Sequence, residues 1–156
     1  MGRTARGLAS GMALLLWLGG CALNPWYHPP KVFTKLLQFK VAEEANLNQS
    51  IAFDLVIVLE EPLVEKLLAL SAENWFQQRE QWKRDQPAGL RTWEWELTPG
   101  QQVAPFRVGG AAEAAAVLVF ARYSTEGAHR ARLDPYEVVT IELGEKGFEL
   151  RPVFKQ

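Results

Sequence analysis

Ile51–Leu59 reads Ile-Ala-Phe-Asp-Leu-Val-Ile-Val-Leu, an extended run with apolar side chains on both faces. Phe53, Leu55, Ile57 and Leu59 point one way, and Val56 and Val58 the other. A strand with one apolar face needs one covering layer; this strand needs two and belongs inside a sheet. Asp54 is the odd polar residue at its centre. Buried there it requires a partner, and Arg122 on another apolar strand is the candidate.

Other segments supply neighbours for this strand. Phe33–Val41 alternates, with Leu37, Phe39 and Val41 against Gln38 and Lys40. The polar stretch Glu43–Ser50 separates it from Ile51, so the two strands are predicted to form a hairpin. Pro62 after Glu60-Glu61 suits the first turn of a helix, where acids meet the positive helix end. Leu63, Leu67 and Leu70 recur at helical spacing, and Ser71 is a candidate N-cap for a second helix to about Arg84. Trp75, Arg79 and Trp82 share one face of it. Strand patterning resumes at Thr92–Thr98, turns at Pro99-Gly100 and returns over Val103–Val108, where Pro105 marks an edge strand. Ala115–Tyr123 is a buried strand, and Val138–Leu143 with Phe148–Phe154 make a terminal hairpin. The expected fold is mainly β: a β-sandwich of about seven strands over residues 33–156, with a helical insertion at about 62–86 after the second strand.

The first 20 residues have a different character. Arg3 and Arg6 precede a short apolar run from Ala13 to Leu18, which is the pattern of a secretory signal peptide. The run is well short of the roughly 20 residues that span a bilayer. It ends Leu18-Gly19-Gly20-Cys21, which resembles the bacterial lipobox, and Cys21 is the single cysteine of the chain. A thiol is needed at that spot because it becomes a thioether to diacylglycerol before cleavage, followed by an acyl chain on the new N-terminus. Residues 21–32, with three prolines, then form an extended tether. Ala22 follows the cysteine where an aspartate would mark inner-membrane retention, so the expected location is the outer membrane, periplasmic face.

Cleavage after Gly20 leaves 136 residues. The 17 Lys and Arg less Arg3 and Arg6 leave 15, against 18 Asp and Glu, for a formal charge of −3. A weakly acidic chain lacks the electrostatic footprint of a nucleic-acid binder. Neither histidine, His28 nor His129, sits in a metal-ligand spacing, and no metal or cofactor is expected beyond the lipid on Cys21. Ser124, His129 and Asp134 are close in sequence, but nothing around Ser124 resembles a nucleophile elbow. Glu43-Glu44 and Glu60-Glu61 are read as a solvated loop and a helix start, not as acid–base pairs. No catalytic residue is assigned.

The order of lipobox, tether, two strands around a polar loop, helical insertion and Pro-Gly turn resembles one family. It is similar to the outer-membrane lipoproteins of type VI secretion, the TssJ family. The resemblance rests on Leu18–Cys21, the strand pair 33–41 and 51–59, the segment Leu70-Ser71-Ala72-Glu73-Asn74-Trp75-Phe76, and Leu97-Thr98-Pro99-Gly100-Gln101. Trp93-Glu94-Trp95-Glu96 and the longer helix after Phe76 depart from the pattern. The resemblance implies a transthyretin-like sandwich without catalysis. It implies a tether in the secretion membrane complex that binds the periplasmic domain of the inner-membrane component TssM. It also implies that the first inter-strand loop touches that partner, which here gives Glu43, Glu44, Asn46, Leu47, Asn48 and Gln49. Two other readings fit a lipid-anchored sandwich. One is a binding module of a different envelope assembly. The other is an apolar-ligand carrier with a cavity lined by Trp75, Trp82 and Trp93.

Several acyl chains, at about 0.8 kcal/mol per buried CH₂, hold a protein firmly to a membrane. Cys21→Ser is therefore expected to leave the fold intact and release the protein from membranes. Recovery of the variant in the salt-washed membrane pellet would contradict the lipid anchor.

Overall fold

The computed structural model describes residues Val32–Val153. The signal segment 1–20, Cys21 and the rest of the tether through Lys31 lie outside the described residues. The described chain forms β1 (Leu36–Val41), β2 (Ile51–Val58), α1 (Glu61–Leu68), α2 (Ala72–Asp85), β3 (Leu90–Leu97) and β4 (Phe106–Arg107). It continues with β5 (Ala116–Arg122), β6 (Arg130–Arg132), β7 (Val138–Leu143) and β8 (Phe148–Pro152). One sheet has the order β4-β1-β7-β8 and the other β3-β2-β5-β6. β1 runs parallel to β7, and the other pairings are antiparallel. This is the mainly β sandwich that the strand patterning predicts.

Both faces of β2 are covered, by different partners. Phe53, Leu55 and Ile57 enter the core between the sheets, with Leu37, Val119 and Ile141 among their neighbours. Aromatic rings bind the two sheets there: Phe39 meets Phe53 at 5.4 Å between ring centroids, and Trp95 meets Phe106 at 5.1 Å. Val56 and Val58 face outward into a second core, formed with Leu63, Val64, Leu67 and Trp75 of the helices. Trp75 stacks on Phe120 at 4.9 Å and is fully buried. The molecule thus has three layers: sheet, sheet and helical pair. Pro62 lies in the first turn of α1, and the Ser71 hydroxyl accepts from the Asn74 N–H at 3.2 Å to cap α2.

Four expectations need correction. β1 and β2 do not form a hairpin, because residues 42–50 carry the chain from one sheet to the other. Alternation shows which residues face the core, but both sheets share that core. The stretch Val103–Val108 does not return beside β3; only Phe106–Arg107 pairs, and it pairs with β1 across the sandwich. Pro105, which has no N–H to give to a ladder, ends the pairing. An eighth strand, β6, is three residues long and too short to show a period. Finally, Arg122 is not the partner of Asp54.

Asp54 is 1% exposed on the helix-facing side of β2. Trp75 Nε1 donates to its Oδ2 at 2.8 Å, and Arg79 Nη1 donates to both of its oxygens at 3.1 Å. Arg79 also reaches Glu94 at 3.3 Å, and Lys83 bridges Glu94 at 2.8 Å and Glu80 at 3.0 Å. The face of α2 that carries Trp75 and Arg79 is thereby latched to the middle of the sheet. Burial pushes the Asp54 carboxyl above the ordinary aspartate value of 3.8, against the opposing pull of the Trp75 and Arg79 donors.

Removing one side of a buried pair strands the other. Asp54→Ala is expected to destabilise the fold by about 3 kcal/mol in urea denaturation. Asp54→Asn keeps an acceptor for Trp75 and is expected to cost less. Because the folded carboxyl titrates above 3.8, its favourable contribution is complete below that value and is lost as pH rises through the folded value. The stability of Asp54→Asn relative to the native chain is therefore expected to improve as pH rises through that window. A pH-independent difference between the two proteins would overturn this assignment.

Candidate functional site

The sandwich has two distinct ends. At one, the Phe33 N–H donates to the Asp134 carbonyl at 2.8 Å and the Thr34 hydroxyl to the Leu133 carbonyl at 2.7 Å. These bonds fix where the N-terminal segment enters. β1 then runs six residues, about 20 Å, to the other end. There the loop 42–50 meets the turns 98–101 and 144–147 and the segment 122–129. The segment that enters from the tether and the 42–50 loop therefore occupy opposite ends of the domain.

The loop is built around left-handed backbone. Asn46, Leu47 and Asn48 have φ of 49°, 55° and 63°. For residues other than glycine this region costs about 1–2 kcal/mol each, with asparagine the most tolerant. The surrounding structure holds it in place. The N–H groups of Asn46 and Leu47 donate to the carbonyls of Gly144 and Glu145 at 3.1 Å. The Asn46 side chain donates to the Ser50 carbonyl at 2.8 Å and accepts from the Ser124 N–H at 2.7 Å. The Ser124 hydroxyl donates to Gln49 Oε1 at 2.9 Å. The Glu43 carboxylate lies across Gly100, whose φ of +69° completes the Pro99-Gly100 turn. A Cβ at Gly100 would collide with that carboxylate. Beneath the loop Tyr123 is buried, which pushes its phenol pKa well up. Its hydroxyl sits beside the Gly144 backbone without closing a hydrogen bond of ordinary geometry.

This scaffold displays one apolar side chain. Leu47 is 41% exposed at the tip, while Ala45 and Asn46 beneath it are buried. Phe33 and Val153, the other exposed large hydrophobics among the described residues, lie at the opposite end. Glu43, Glu44, Asn48 and Gln49 surround Leu47 and face solvent. Of the six loop residues singled out from sequence, Asn46 stands apart: its side chain is consumed inside the fold and offers no contact surface. Ser124 and the Gly144 and Glu145 carbonyls, which shape the loop, carry no local sequence signal because they act from 75 or more residues away.

Ser124, His129 and Asp134 do not assemble. The Ser124 hydroxyl bonds to Gln49, and His129 Nε2 lies 2.9 Å from the Thr125 carbonyl with its ring stacked on Tyr123. Asp134, at the other end, accepts from the Val117 N–H at 2.6 Å and pairs with Arg132. The indoles proposed to line one cavity are also separated. Trp75 and Trp82 belong to the core under the helices, and Trp93 to the core between the sheets. A full sheet stands between them.

No protein-family profile and no curated protein matches the chain. Solved structures do. Serratia marcescens Lip, a membrane-bound component of the type VI secretion system, superposes with a TM-score of 0.56 at 20% identity, over 81% of this chain and 100% of that one. The type VI secretion lipoprotein TssJ1 from Pseudomonas aeruginosa gives 0.56 at 16% identity, over 78% and 98%. The chain has the fold of the type VI secretion lipoproteins. A chain in the structure of the TssM C-terminal domain from EAEC is similar in the same way, with a TM-score of 0.56 at 16% identity, over 76% and 98%. The TssJ-like sandwich is thus reached with little shared sequence, as a fold set by core patterning allows.

Asn46→Ala removes an acceptor for Ser124 and a donor for Ser50, and puts a less tolerant residue at positive φ. It is expected to cost about 2 kcal/mol in urea denaturation. Leu47→Ser is expected to change stability by less than about 0.5 kcal/mol. The reverse ranking would mean that the loop is held by its tip and not by Asn46.

Proposed function

We propose that this chain is a TssJ-type lipoprotein, anchored by acylated Cys21 to the periplasmic face of the outer membrane. In this reading it acts as a structural tether of the type VI secretion membrane complex and binds the periplasmic domain of TssM through the Leu47 loop. The observation that carries the proposal is the placement of a stiffened loop with one exposed leucine opposite the end where the tether enters. The fold likeness and the lipobox support it. A tether loaded by a large machine must carry force between its two attachments. Here the strands run end to end between them, and β1 joins the tether to the loop directly. Strained backbone held by long-range hydrogen bonds is preorganised, so little ordering entropy is lost when a partner docks. A central apolar anchor with a polar rim matches the anatomy of a small, wet interface.

The test is calorimetric titration of the mature domain with the periplasmic domain of the cognate TssM. The native chain is expected to bind, and Leu47→Asp to lose binding with an unchanged melting curve. Equal affinity of native and Leu47→Asp chains would overturn the assignment of the loop.

A further inference from the structure

The Leu47 loop borders a polar cleft of about 370 Å³, lined by Asn46, Gln49, Glu73, Arg122, Tyr123 and Ser124. Arg122 is the last residue of β5. Its side chain is on the helix-facing side of the sheet, as the alternation Leu118, Phe120, Arg122 requires. Ala52 stands opposite it in the β2 register and adds no bulk. The Arg122 guanidinium lies over the Phe76 ring at 5.4 Å. Arg79 shares that ring at 5.3 Å, but its charge is already spent on Asp54 and Glu94. Arg122 has no ion pair among the described residues. Glu73 lines the same cleft without reaching it, and its Oε1 accepts from Gln77 Nε2 at 2.7 Å. The result is an exposed arginine at the wall of a concave polar site, its guanidinium stacked over an aromatic face and without an ion pair among the described residues.

Resting on the partner-binding reading of the loop, we infer that Arg122 takes a carboxylate of the protein that docks on Leu47. A guanidinium presents a planar fork of donors that fits a carboxylate with two parallel bonds. Gln49, which lines the cleft, is two residues from Leu47 in the same exposed loop, so one partner segment can span both points. Two unlike contacts, one apolar and one anionic, define a direction along the surface and fix the register of the segment. Glu43 and Glu44, exposed on the N-terminal side of Leu47 in the same loop and absent from the cleft lining, carry the opposite charge and disfavour a partner bound the other way round.

The experiment is the same titration with the cognate TssM periplasmic domain, using Arg122→Gln, Arg122→Glu and Leu47→Asp at two salt concentrations. Arg122→Gln is expected to weaken binding roughly tenfold and to flatten its salt dependence. Arg122→Glu is expected to weaken it further, with melting curves unchanged in both. If Arg122→Gln and Arg122→Glu bind like the native chain while Leu47→Asp does not, the carboxylate site is wrong and the loop reading stands. If all three variants bind like the native chain, both readings fail together.

Discussion

The burial of both faces of β2 is the constraint on which the rest of the structure depends. One face closes the sandwich and the other needs its own cover, which the pair α1 and α2 supplies. Asp54 then makes that cover specific. A purely apolar contact would leave the helices free to slide, whereas a buried carboxylate accepting from Trp75 and Arg79 admits one placement. That specificity has a cost, because burial pushes the Asp54 carboxyl up against the two donors that favour its charge.

That placement has a consequence at the far end of the sheet. With Arg79 committed to Asp54, Arg122 has no acidic partner among the described residues, and α2 delivers Phe76 beneath its guanidinium. The same helix that stabilises the middle of the sheet therefore also orients the exposed Arg122 guanidinium at its rim. The stability of the latch and the chemistry of the surface beside Leu47 are two outcomes of one packing arrangement.

The loop itself reverses the usual relation between strain and exposure. Its left-handed residues sit where the chain crosses between sheets, and turns from distant parts of the sequence grip their backbone. Strain is tolerated because Asn46 satisfies Ser50 and Ser124 at once. What remains at the tip is an exposed leucine on a stiff base, separated by the full length of β1 from the end where the N-terminal segment enters.

Much of this was readable from the sequence, because period and local chemistry are properties of short segments. The two-faced pattern of Ile51–Leu59, the alternation in β1, the terminal hairpin of β7 and β8, the Ser71 cap and the Pro99-Gly100 turn all appear in the structure where their residues place them. The polar stretch 43–50 also stood out as a loop with Leu47 at its centre. Pairing was not readable. Alternation shows which residues face a core and not which sheet a strand joins, so β1 and β2 were expected as a hairpin but face each other across the sandwich. β6 is too short to carry a period. The choice between Arg79 and Arg122 as partner of Asp54 depended on where α2 crosses the sheet. The left-handed loop depended on carbonyls from the turn after β7. Local sequence determined the elements and their faces; tertiary contacts between residues far apart in the chain decided the crossing, the ion pairs and the shape of the site.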